Sequence, residues 1–337
     1  MTGIKDHELI IVGAGPAGLC AALYAGRSEL DAVLLERGAP GGQLLLTELV
    51  DDYPGLEEVG GMEMARLMAE HAARFGIEAT YADVEALERD DEGRFRAKCA
   101  DGTVYRAPAV VLTAGGTPRR LDIPGEEEFR GRGVSYCAIC DGAFFKGQTI
   151  AVVGGGDSAV EEGEFLTRYA EKVHVIHRRD EFRAQAVLKE RLFRNPKADV
   201  IWNTVVEEIR GDASGVTSLA LRDVDTDERS ELDVTGVFIF IGFDPNTGIL
   251  TEHVEHDAGG YLLTDRDMRT SVPGLFAAGD VRSQLVRQIT TAVGDATTAV
   301  FAAEKYLVDL AERAGTEEPG EAAGNAPEEA AAGAAPA

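Results

Sequence analysis

The chain is short of cysteine, short of lysine and without a long apolar run. Its four cysteines, Cys20, Cys99, Cys137 and Cys140, are too few in 337 residues for a disulfide framework. No stretch of about 18 consecutive apolar residues occurs, so no membrane-spanning helix is expected. The polar start, Met1 to Glu8, leads straight into an apolar strand. We therefore expect no signal peptide and a cytoplasmic location, where a close cysteine pair means redox or metal chemistry rather than structural stapling. Lysine is outnumbered by arginine, 7 to 26, and the net charge is −26. That charge argues against nucleic acid and anionic membranes as partners. It suits a salt-rich cytoplasm, or simply an acidic soluble protein from a GC-rich genome. The length and the 45% hydrophobic fraction allow two domains with a core each.

What is present is one pattern, twice. The apolar run Glu8 to Val12 reads as a buried parallel strand. It leads into Gly13-x-Gly15-x-x-Gly18, a helix from about Pro16 to Gly26, and a second strand, Ala32 to Leu35, ending at Glu36. Strand, glycine turn, helix and strand is the context a dinucleotide fingerprint requires. Gly13 permits the tight turn, Gly15 admits a pyrophosphate and Gly18 lets the helix lie on the strand. Pro16 and Ala17 begin a helix whose N-terminus faces the phosphates. Glu36, 23 residues after Gly13, is placed to accept hydrogen bonds from a ribose.

The second copy begins at Ile150 to Val153. Gly154-x-Gly156-x-x-Ala159 follows, with Asp157 and Ser158 inside the turn, then a helix to about Tyr169 and a strand from Lys172 to Ile176. The position 23 residues after its first glycine is His177, followed by Arg178 and Arg179, with Arg183 close behind. No carboxylate stands there. A basic cluster at this offset selects a 2′-phosphate, hence NADPH rather than NADH.

Each copy continues alike. Glu78 to Val104 and Asp199 to Asp233 read as meanders of short strands. The strand at 109–118 has its counterpart at Val237 to Pro245. The second unit is thus inserted into the first, which resumes after Pro245 and closes with Pro273 to Asp280 and a helix from about Gln288 to Arg313. The fold expected is α/β, with two Rossmann-like, three-layer domains. One is made of residues 1–117 and 245–313 and the other of residues 118–244. The stretch 314–337, mainly Gly, Ala, Glu and Pro, is expected to be a disordered acidic tail.

Between the two copies lies Cys137-Ala138-Ile139-Cys140-Asp141. Two thiols at this spacing can close a small-ring disulfide, and an acid directly behind them can move the proton thiol chemistry needs. The competing reading is half of a zinc site, which needs two further ligands; Cys20 inside a helix and Cys99 in the meander are not natural ones. No metal is expected.

These motifs resemble the low-molecular-weight thioredoxin reductases over roughly residues 7 to 311. The resemblance rests on the first glycine fingerprint, Gly41-Gly42-Gln43, Cys137-x-x-Cys140-Asp141-Gly142, Gly154-Gly155-Gly156-Asp157-Ser158-Ala159, His177-Arg178-Arg179-Asp180 and Phe276-Ala277-Ala278-Gly279-Asp280, with Arg287-Gln288 shortly after. It implies FAD in the first site and NADPH in the second. It also places Gly42, Gln43, Thr47, Asp52, Gly279, Asp280, Arg287 and Gln288 around the flavin. It implies thioredoxin or a thioredoxin-like protein as partner, a homodimer, and a domain rotation on hinges near Thr117-Pro118 and Phe243-Asp244-Pro245. Cys140 would be the flavin-side thiol, Cys137 the one that attacks a protein disulfide, and Asp141 the acid–base group. Two positions depart from the family pattern: Ile139 stands where Thr is usual, and Asp52 where Asn is usual. Other readings of the same residues are a flavoenzyme acting on a small disulfide or dithiol, and a non-catalytic flavin or NADPH sensor. His177-Arg178-Arg179 counts against an oxidase, and the intact Cys-x-x-Cys-Asp counts against a sensor.

Overall fold

The computed structural model describes residues 3–47 and 49–316; of the tail expected at 314–337, residues 314–316 belong to the final helix and 317–337 lie outside the described residues. Its two halves are built on two five-stranded parallel sheets. The first runs in the order Leu275–Ala277, Ala109–Leu112, Leu9–Val12, Ala32–Glu36, Ala79–Tyr81. The second runs Val134–Ser135, Gly236–Phe240, Thr149–Gly154, Lys172–Ile176, Ala198–Ile201. Leu275–Ala277 pairs with Ala109–Leu112, although the whole second sheet lies between them in sequence. The insertion is therefore plain in the strand order.

The central strands are apolar throughout because both faces are covered. Leu9, Ile10 and Ile11 have no exposed surface, and neither have Ile150, Ala151 and Val152. The helices Pro16–Arg27 and Ile289–Thr316 cover one face of the first sheet, packing Ala21, Ala22 and Ala25 against Ala296, Ala299 and Ala303. Small side chains on both helices let them lie close together. The final helix runs three residues past Arg313, since Ala314 does not oppose it. On the other face, an antiparallel meander brings Phe95, Ala97 and Cys99 onto Ile10, Val110 and Leu112. In the second unit the three strands Thr204–Asp212, Gly215–Asp223 and Arg229–Asp233 form the matching layer.

The chain crosses between the halves twice, at the places where Gly and Pro cluster. Gly116–Pro118 and Phe243–Pro245 pair there as a two-stranded antiparallel ribbon. Arg119 and Asp244 form an ion pair across it at 2.6 Å, and Asn246 Nδ2 donates to the Ala114 carbonyl at 2.8 Å. No helix among the described residues is long and apolar enough to cross a membrane.

Candidate active site

Cys137 ends a short extended segment after the edge strand Val134–Ser135, and the chain then turns into a single helical turn, Ala138–Asp141. The turn brings Cys140 back beside Cys137, and the two are joined as a disulfide with their Cα atoms 5.3 Å apart. Cys137 caps this turn: its sulfur accepts from the Cys140 backbone N–H at 3.1 Å. A donor aimed at the sulfur favours its thiolate once the bond is reduced. Asp141 accepts a hydrogen bond from the Ser135 hydroxyl at 2.5 Å. Cys20 and Cys99 are buried elsewhere as free thiols, and burial raises both.

The disulfide opens onto a cavity of about 1400 Å³ that the first glycine turn also lines. Its walls hold Gly13, Gly15, Pro16, Ala17, Glu36, Gly42, Gln43, Thr47, Asp52, Gly279, Asp280, Arg287 and Gln288, together with Cys137, Cys140 and Asp141. All but one of the residues expected around the first cofactor line this space; Gly18 is the exception. Its place is under the turn, where a Cβ would meet the Gly13 carbonyl oxygen at 1.7 Å. The carboxylate of Glu36 is held by backbone donors, Ala14 N–H at 2.7 Å on one oxygen and Gly38 N–H at 2.9 Å on the other. Gln43 donates to the Gly116 carbonyl at 3.1 Å, tying the wall to the crossing ribbon.

The space fits a dinucleotide. A Cβ on Gly42 would come within 2.9 Å of the Gly15 Cα, so glycine on both sides keeps the backbone bare where a pyrophosphate would lie. Arg287 lies over the Tyr261 ring at 4.2 Å, its Nε buried without a partner. Burial lifts the Asp280 carboxyl to about 6, with Arg287 opposing and Asp295 adding to the rise. Burial lifts Asp52 as well.

The second turn stands apart. Gly154 and Gly156 lead into the helix Asp157–Leu166, and Ser158 reaches the large cavity, but the arginines beyond do not. The Arg183 N–H donates to the Gly155 carbonyl at 2.8 Å, and Asp157 accepts from the Gln185 N–H at 2.8 Å. These bonds fold the basic loop back over the start of the helix. Arg178, Arg179 and Arg183 are exposed. Glu181, in the same loop, is taken by Lys189.

The structure removes His177 from this cluster. Its ring is only 6% exposed and packs against Phe182 and Trp202. It lies directly under Gly155, where a Cβ would be 2.1 Å from the imidazole. Burial lowers its pKa, with the nearby arginines acting the same way, so it is neutral at pH 7 and adds no charge for a phosphate. Nothing in the local sequence separates it from Arg178; only the end of a buried strand does. Tyr136, next to the first cysteine, donates to Glu126 at 2.6 Å. Ser135 carried no signal in the sequence, and only the fold brings it to Asp141.

The sequence profile described as pyridine nucleotide-disulphide oxidoreductase matches residues 7–296. The thioredoxin reductase of Listeria innocua is 48% identical over 308 residues, covering 91% of this chain and 96% of that one. The chain is a member of the pyridine nucleotide-disulphide oxidoreductase family, among the low-molecular-weight thioredoxin reductases. As a family member it is a redox enzyme that works through a dithiol and a pyridine nucleotide. A crystal structure of thioredoxin reductase from Streptococcus pyogenes is 44% identical and superposes with a TM-score of 0.86, covering 90% of this chain and 99% of that one. One from Lactococcus lactis, in a state its title calls the FR conformation, has 43% identity and the same coverage but a TM-score of only 0.61. At nearly equal identity and coverage, this chain therefore superposes less well on the Lactococcus lactis structure than on the Streptococcus pyogenes one.

Proposed function

We propose that the chain uses NADPH to reduce the disulfide of thioredoxin, through FAD in the first site and the Cys137–Cys140 pair. The observation that carries this reading is the shared cavity: disulfide and first glycine turn line one space, while the arginines of the second turn lie off it. In this reading Gly13, Gly15, Gly42 and the start of the helix Pro16–Arg27 hold the FAD pyrophosphate, Glu36 its ribose, and Asp280 and Arg287 its inner length. When bound, the flavin supplies a two-electron carrier between a nicotinamide hydride and a disulfide. Gly156 and the helix Asp157–Leu166 hold the NADPH phosphates, and Arg178, Arg179 and Arg183 its 2′-phosphate.

The thiols do the outward chemistry. Cys137 passes its proton to Asp141, and its sulfur attacks the partner disulfide. One partner sulfur leaves and takes a proton, and a mixed disulfide forms. Cys140 then attacks Cys137, closing the internal disulfide and releasing the second partner thiol. Two electrons and two protons have moved to the partner.

The cysteines line the first site's cavity while the basic loop of the same inserted unit lies off it. We propose that residues 118–244 turn as one body against residues 1–117 and 245–313, with the ribbon at 116–118 and 243–245 as the hinge. The working form in this reading is a cytoplasmic homodimer. Exposed Phe301 and Val308 on the final helix supply apolar surface for a second copy. The test is anaerobic NADPH oxidation by the FAD-loaded protein with oxidised thioredoxin as acceptor. Turnover is expected with the wild type and none above background with Cys137→Ser. Flavin reduction without any thioredoxin-dependent turnover would overturn the reading.

A further inference from the structure

The loop after the second glycine turn is not purely basic. Arg178, Arg179 and Arg183 share it with Asp180 and Glu181, and all five are exposed around the buried Phe182. A carboxylate beside a phosphate site works against it, because like charges closer than a screening length repel. Glu181 is met by a residue from the next helix, Ala186–Arg194. Lys189 Nζ lies 2.9 Å from a Glu181 oxygen and also donates to the Phe182 carbonyl at 3.4 Å. The lysine is held in the frame of the second turn. Its N–H donates to the Gln185 carbonyl at 3.1 Å, and Gln185 donates to the Asp157 carboxylate from its backbone at 2.8 Å and its side chain at 3.2 Å. The Lys189 side chain is 23% exposed and that of Glu181 78%. A pair so open to water adds little stability, so its weight lies in the field it leaves at the loop.

We propose that Lys189 is a specificity-determining residue for the nucleotide: by neutralising Glu181 it keeps Arg178, Arg179 and Arg183 attractive to a 2′-phosphate. The inference rests on the second site's holding that phosphate. With Glu181 paired, the loop presents three arginines against Asp180. Without Lys189, Glu181 adds a second negative charge and can pair with one of the arginines in place of the phosphate. A nucleotide that lacks the 2′-phosphate has no group there for Glu181 to repel. Lys189 therefore separates NADPH from NADH by way of Glu181.

The test is the concentration of NADPH, and separately of NADH, that half-saturates anaerobic reduction of the flavin in the FAD-loaded protein, with thioredoxin left out. Lys189→Met should raise it about fivefold for NADPH, the size of one uncovered charge acting through water on a doubly charged phosphate, and leave it unchanged for NADH. Adding Glu181→Gln to that variant should restore the NADPH value, and Lys189→Arg, which keeps the charge, should match the wild type. The gap should close in about 1 M salt, where the screening length falls to about 3 Å. Should Lys189→Met fold poorly, Lys189→Gln makes the same comparison. An NADPH value that does not move, that moves equally for NADH, or that Glu181→Gln fails to restore overturns the role of Lys189 and leaves the second site standing. A wild type that does not prefer NADPH to NADH overturns both.

Discussion

At the first glycine turn, the third glycine sits where a Cβ would come within 1.7 Å of the Gly13 carbonyl oxygen; at the second turn the same position is Ala159, buried and accommodated. There the bare position is Gly154, whose Cβ would be 2.6 Å from that of Ala159. The first glycine is pressed against the neighbouring strand in both turns, Gly13 on the Thr113 carbonyl and Gly154 on that of Phe240, so the turns differ only at the third position. They differ in charge as well. The strand after the first turn ends in Glu36, held by two backbone donors, and the strand after the second ends in His177, buried and neutral, with bare arginines beyond it. One backbone plan thus carries two charge patterns, and the exposed arginines beyond His177 set the second apart. The cavities differ too. The first turn shares one cavity with the disulfide, whereas the basic loop of the second faces solvent.

Breaking the first turn should have the larger effect. Gly18→Ala should abolish flavin retention, because the methyl group meets backbone that cannot yield; bound FAD per chain, read from visible absorbance, is the measurement. Full flavin content in that variant would mean the turn is looser than described. Next in size is the double change Arg178→Ala with Arg179→Ala. Each lost charge-assisted contact is worth roughly tenfold or more, so KM for NADPH should rise by about two orders of magnitude while KM for NADH barely changes. His177→Ala should instead lower thermal stability, with the preference for NADPH over NADH retained.

A smaller effect separates the floor of the first site. Asp280 is lifted by burial to about 6, above its ordinary value of about 4. A carboxyl raised on folding favours the folded state while it is neutral. That contribution is complete below about pH 4 and is lost as pH rises through about 6. Asp280→Asn keeps a neutral group of the same shape. The melting temperature of the flavin-free variant, relative to the wild type, should therefore climb across that window and level off above it. A constant difference would contradict the burial of Asp280. Smallest of all, Ala159→Gly should cost about 1 kcal/mol of stability through backbone entropy and leave nucleotide preference alone.

Much of this was legible before any coordinates. Apolar runs leading into glycine gave Leu9–Val12 and the strand before the second turn nearly to the residue, because buried parallel strands carry no polar alternation to confuse them, and Lys172–Ile176 followed from its offset from that turn. The repeat of the motifs pointed to an insertion, and Leu275–Ala277 pairs with Ala109–Leu112 across it. What stayed hidden depends on contacts far apart in the chain or on side-chain direction. His177 reads as one of three basic residues until Phe182 and Trp202 bury it. The half-buried pair of Arg282 with Asp295, at 3.0 Å, joins residues from a loop and the final helix around the Gly279 N–H. Ser135 is an ordinary strand residue until the chain turns back at Cys140. The helix Ala186–Arg194 also went unread, since its exposed Val187 and Phe193 blur an otherwise polar pattern.

The central claim is that electrons entering from NADPH reach the Cys137–Cys140 disulfide by way of the first site. The most direct test is to count thiols after adding NADPH anaerobically to the FAD-loaded protein without thioredoxin, using alkylation and mass spectrometry to locate them. The account predicts that Cys137 and Cys140 both become alkylatable, at a rate that falls in the Arg178→Ala, Arg179→Ala double variant. A flavin that bleaches on NADPH addition while the disulfide stays closed would contradict it.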